Sequence, residues 1–99
     1  MPTLKIDLQE GFTGKSAVLR IDGKELYRGT PRTRTQIGLA ESQSFDLPRQ
    51  KVAIQLEIPD SGKSRETVLK LDQDQYLGIS LSASGEISFN PSTEPFGYL

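Results

Sequence analysis

Three short segments of this chain carry residue types that do chemistry elsewhere: a glycine-rich run ending in Gly14-Lys15-Ser16, an arginine-threonine run from Arg28 to Thr35, and an acidic turn at Asp72 and Asp74. A phosphate-binding loop cradles phosphates in backbone amides ahead of a helix and needs four residues between its glycines. Gly11 and Gly14 have two residues between them and a strand-like run after them, and ahead of Gly62-Lys63-Ser64 the place of the first glycine is held by Glu57. Both segments read as glycine turns. Asp72 and Asp74, joined by Asp60 if the fold brings it near, invite a calcium reading. Ca²⁺ needs six to eight oxygens, and the EF-hand loop needs a glycine and a distal glutamate. The run Asp72-Gln73-Asp74-Gln75-Tyr76-Leu77 has neither, so an Asp-rich turn and no metal site are expected. Pro91 occupies the forbidden middle place of Asn90-Pro91-Ser92, which removes it as a glycosylation acceptor.

Arg28, Arg32 and Arg34 alternate with Thr30, Pro31, Thr33 and Thr35 in the one concentrated basic segment. Guanidinium forks grip a carboxylate or phosphate bidentately, so this loop is the first choice for a polar recognition site facing an acidic partner. The plainer reading is a solvated loop whose arginines pair with neighbouring acids such as Glu41. At the other end of the chain, Phe96, Tyr98 and Leu99 place three large apolar side chains after the last strand-like run. Exposed chain gains nothing from such residues, so the tail is expected to pack on its own domain or on a partner.

The absences narrow the function. The chain has no histidine and no cysteine. Ser-His-Asp and Cys-His nucleophiles are therefore impossible, and zinc hydrolase sites lack their usual ligands. A glycosidase carboxylate pair would need a cleft deep enough to bury a sugar, which one small domain rarely supplies. A non-enzymatic protein with no cofactor is expected. Twelve basic residues nearly cancel thirteen acidic ones, so no global field recruits nucleic acid or an anionic membrane. No run approaches the roughly 20 apolar residues of a spanning helix, and the first residues lack the apolar core of a signal peptide. Together with the missing cysteines this points to a soluble, cytoplasmic chain, though a secreted domain trimmed of its signal would look the same.

The elements that must position these residues are strands. Leu4/Ile6/Leu8, Leu19/Ile21, Val52/Ile54/Leu56/Ile58, Leu69/Leu71, Leu77/Ile79/Leu81 and Ile87/Phe89 repeat at period two, which puts them on one face of a pleated strand. With Leu26 they form the expected core. Strands are expected over 3–9, 16–21, 52–58, 65–71, 76–82 and 86–90, with two short and less distinct ones at 36–40 and 43–47. Pro91 and Pro95 are expected to end regular pairing. Asp22-Gly23 is the strongest hairpin signal, because a type I′ turn needs positive φ at both central residues. A two-residue loop there pairs Arg20 with Glu25, Leu19 with Leu26, and Val18 with Tyr27. The stretch from Val18 to Pro31 is similar to the strand-Asp-Gly-Lys-strand-Gly-Thr-Pro pattern of PEGA-type extracellular β modules. That resemblance implies a small β module, and fold likeness supplies no function.

About eight strands at this spacing imply an all-β antiparallel sandwich of immunoglobulin or PEGA-like size, or a small closed barrel. Residues 1–99 form one domain in this reading, with 91–99 as a tail. The function expected is an interaction module that binds a protein partner or itself through an edge strand, the 28–35 loop and the tail. A small carbohydrate-binding module is the alternative, resting on Phe12, Tyr27, Tyr76 and Tyr98 as its aromatics.

Overall fold

A computed structural model describes residues 1–34 and 38–97. The strands are β1 (Thr3–Leu8), β2 (Ala17–Ile21), β3 (Lys24–Gly29), β4 (Glu41–Asp46), β5 (Lys51–Ile58), β6 (Lys63–Lys70), β7 (Gln75–Leu81) and β8 (Ile87–Ser92), with no helix among the described residues. They form two four-stranded sheets, in the orders β4-β1-β7-β8 and β3-β2-β5-β6. The sheets pack as a sandwich and do not close into a barrel. Five of the six ladders are antiparallel, while β1 and β7 run parallel in the middle of their sheet.

Period two decides which face is inside. Leu4, Ile6 and Leu8 with Leu77 and Ile79 cover one inner face, Leu19 and Ile21 with Val52, Ile54, Leu56 and Ile58 the other, and none is more than 4% exposed. Leu26, Leu69, Leu81 and Phe89 are only partly buried against this cluster, because they sit on edge strands or at strand ends. Ala17 continues the Leu19/Ile21 face at period two and is buried, whereas alternation could not reveal two further buried residues, Phe12 and Val18. Phe12 lies in the glycine-rich loop and plugs the end of the core. Val18 faces outward between Arg28 and Glu57, its register neighbours.

The β2–β3 turn has the expected backbone, with φ of 51° at Asp22 and 81° at Gly23. Its register departs from the simple hairpin. Arg20 pairs with Glu25, but a bulge follows, so Leu19 lies opposite Tyr27 and Val18 opposite Arg28. In a regular strand one of Leu26 and Tyr27 would face solvent. The extra residue lets both pack against the core, where both are partly buried. The turn is tied to the next strand at two points: Asp22 N–H donates to the Ala53 carbonyl (2.8 Å), and Ala53 N–H donates to Asp22 Oδ1 (2.9 Å).

Two other expectations are corrected. No strand forms over 38–40, where Gly38 turns the chain and Leu39 makes only an isolated bridge to Arg34; Gln36 and Ile37 lie outside the described residues. Pro91 does not end pairing but sits inside β8 opposite Leu77. It is tolerated because β8 is an edge strand, where a missing N–H on the solvent side breaks no ladder. The tail therefore begins after Ser92.

The two open sides of the sandwich differ. At the β6/β8 side, Arg65 Nη1 donates to the Ile87 carbonyl (2.7 Å), its guanidinium lies 6.0 Å from the centre of the Phe89 ring, and Lys63 Nζ meets Glu86 Oε1 at 2.8 Å. The β3/β4 side instead leaves a groove of about 620 Å³, whose apolar lining is Ile21, Leu26, Phe45 and Leu47.

Because Ile54 is fully buried and Gln55 projects outward, Ile54→Ala should lose about 2–5 kcal/mol, whereas Gln55→Ala should lose no more than about 1 kcal/mol. Urea denaturation midpoints of the two variants check the assignment of faces.

Candidate functional site

At one end of the sandwich the β1–β2 and β3–β4 connections are laced together. Thr33 N–H donates to the Phe12 carbonyl (2.8 Å) and Gly14 N–H to the Pro31 carbonyl (2.9 Å). The Thr33 hydroxyl donates to the Gln9 carbonyl (2.6 Å) and accepts from Phe12 N–H (3.0 Å). Thr33 thus gives the loop a fixed backbone that sequence composition alone did not suggest. Gly11 seats the lacing against β7: its φ is +88°, and a Cβ there would collide with the Leu81 carbonyl.

The three arginines do not act as one group. Arg28 belongs to β3 and is held by Glu25, with Nη2 at 2.7 Å and Nε at 3.2 Å from the same Oε1. That hydrogen bond, and then the charge behind it, holds the Glu25 carboxyl below its ordinary range. Arg32 and Arg34 are exposed, and neither takes part in an ion pair among the described residues. The Arg32 guanidinium lies over Gly14, where an added Cβ would come within 2.6 Å of Nη2. Arg32 also lines a hollow of about 460 Å³ with Glu10, Phe12 and Thr33. A second hollow of about 200 Å³ lies between the glycine-rich loop and the β7–β8 turn, with Lys15 and Lys63 at its rim. Lys63 is engaged there by Glu86 and by the Ser84 carbonyl.

The acidic turn has a structural role. Asp74 Oδ1 accepts the Thr3 N–H at 2.9 Å and so fastens the start of β1 beside β7. Among the described residues no three acidic side chains gather where a metal could sit. The aromatic residues do not form an exposed row: Phe12 is buried, and Tyr27, Phe45 and Phe89 pack against the core. Tyr76, beside Lys5 in the β1–β7 ladder, lies on the outer face of its sheet. Phe96 is half-buried, and Tyr98 and Leu99 lie outside the described residues.

The feature that residue types did not signal is the β4 edge. Leu47 N–H donates to the Pro2 carbonyl (3.0 Å), and Thr3 pairs with Asp46. The alternation of an antiparallel ladder then turns the main-chain groups of Glu41, Gln43 and Phe45 toward β1 and those of Ser42, Ser44 and Asp46 outward. The Ser42 N–H is covered by its neighbour's carboxylate, Glu41 Oε1, at 3.2 Å. Inward, Phe45 lines the groove, while Glu41 and Gln43 share the inner face of the sheet further along β4; burial, and then the Glu41 charge, pushes the Tyr27 hydroxyl above its ordinary range. The other three edges carry blocking devices: the bulge in β3, Pro91 in β8, and the charged row of β6 strapped to β8 by Arg65.

Gly11→Ala should destabilise more than Gly62→Ala. Both positions have positive φ, which alone costs about 1–3 kcal/mol, but nothing lies within 4 Å of a Cβ at Gly62. Equilibrium unfolding of the pair measures the difference. Arg28→Gln should raise the Glu25 carboxyl toward its ordinary value in a carbon-detected NMR titration. The stabilisation from this pair is present above the ordinary carboxylate range and is lost as pH falls through the lowered pKa of Glu25.

No protein-family model, curated protein or solved structure matches the chain, so the reading of its function rests on geometry and chemistry.

Proposed function

We propose that this protein is a non-enzymatic interaction module that binds a protein partner or itself, with the β3/β4 side of the sandwich as its docking surface. The observation that carries the reading is the contrast between edges. Three are blocked or strapped, while β4 offers outward main-chain groups at Ser44 and Asp46 beside an apolar groove. Strand addition uses this arrangement: main-chain hydrogen bonds give affinity, and side chains at alternate positions enter a neighbouring groove. Arg32 and Arg34 supply exposed guanidinium groups on a laced loop, suited to carboxylates on a partner's rim. Phe96 follows β8, at the edge of that sheet opposite β4, and in this reading the tail is a second, separate contact of the module. A chain without histidine or cysteine lacks the common nucleophile–base pairs, which favours binding over catalysis.

A photo-crosslinking amino acid at Ser44, placed in the full chain and irradiated in the cells that make it, should give one discrete protein adduct. The same group at Ser88, on the strand that carries Pro91, should give none. Arg32→Gln with Arg34→Gln should lower the adduct yield and leave the melting temperature unchanged. Equal labelling from Ser44 and Ser88, or none from either, would remove the proposed surface.

A further inference from the structure

The hollow between the glycine-rich loop and the β7–β8 turn differs in chemistry from the other surfaces, and we infer that it binds a small monocarboxylate with an apolar body. Both sheets reach it: Leu81 ends β7, Ile58 ends β5 and Lys63 begins β6, while Phe12 closes it from the β1–β2 loop. It opens between the sheets at the end of the sandwich away from the β3/β4 groove, so it stands apart from the interaction-module reading. Its volume of about 200 Å³ is the share of roughly seven liquid waters, room for one ring or a short aliphatic chain. The bonds from Thr33 to Phe12 fix one wall in advance, which lowers the ordering cost of binding.

The polar groups around the hollow are donors. Among the described residues none that lines it is acidic. Lys63 Nζ uses two of its three N–H groups on Glu86 and the Ser84 carbonyl and keeps the third. The Ser82 and Ser84 hydroxyls meet at 3.0 Å, so one of their two hydrogens makes that bond and the other is left to donate. Lys15 is exposed and joins no ion pair among the described residues. Two lysine charges, less the one that Glu86 neutralises on Lys63, leave a single positive charge at the rim. A carboxylate balances it, whereas a phosphate dianion exceeds it. Phe12, Ile58 and Leu81 form the floor, which covers a ring or methylene chain and gains nothing from a bare hydrated ion.

Sodium phenylacetate, added to the full chain at up to about 20 mM, should shift the backbone amide NMR signals of residues 11–15, 61–63 and 82–85, with a dissociation constant near 1 mM, as suits so small a ligand. Phenylacetamide, similar in shape but uncharged, should bind about tenfold more weakly, and so should inorganic phosphate. Lys15→Gln should raise the phenylacetate dissociation constant about tenfold, whereas Lys51→Gln, at the far end of β5, should leave it unchanged. Thermal melts that match the parent chain establish that both variants are folded. No shift at the highest concentration overturns the inference, as does equal affinity for the acid and the amide, or phosphate binding as tightly as phenylacetate. Equal losses from Lys15→Gln and Lys51→Gln overturn it too. The Ser44 crosslink is read separately, so either reading can fail while the other stands.

Discussion

The sandwich depends on one constraint: the inner faces of β1 and β5 must stay matched, because Leu4, Ile6 and Leu8 on one sheet and Val52, Ile54, Leu56 and Ile58 on the other face each other as the longest fully alternating buried sets. Period two makes this constraint unforgiving, since a slip of one residue would turn a whole set toward water. Several local contacts serve to hold the two strands in place. Asp74 receives the first amide of β1, and Asp22 brackets Ala53 on β5. Polar side chains at turns thus fix the register that the apolar side chains exploit.

The same logic explains where residue types foretold the structure and where they did not. Central strands were legible because a strand buried on one face must alternate. β4 was indistinct because an edge strand is only half-constrained: Glu41 and Gln43 lie opposite the buried Leu8 and Ile6 yet remain half-exposed, so polar residues stand where alternation expects apolar ones. The bulge at Leu26 and Tyr27 was hidden because two adjacent side chains on the core side contradict simple alternation, and only the surrounding volume shows that both fit. Phe12 belongs to a loop with no period at all. The parallel meeting of β1 and β7 was also invisible, since alternation reports which face is buried and not which strand lies alongside.

Site residues divide in a comparable way. Arginines advertise themselves by type, so Arg28, Arg32 and Arg34 stood out, yet their neighbours decide their roles. Glu25, three residues before Arg28 across a bulge, takes one of them out of circulation. The open edge carries no conspicuous chemistry. Serine main-chain groups are ordinary until topology leaves them without a ladder, and that is a property of strand order and not of composition.

Strand direction has one more result. Tyr76, near the start of β7, lies opposite both Lys5 near the start of β1 and Ser92 at the end of β8, so the two outlets of the chain leave the same end of one sheet, about 10 Å apart. Tension applied between them would load β1 and β8 from that shared end. Their ladders would open like zippers, one rung at a time, instead of resisting as a sheared block. Mechanically this is a geometry that yields to tension applied at that end.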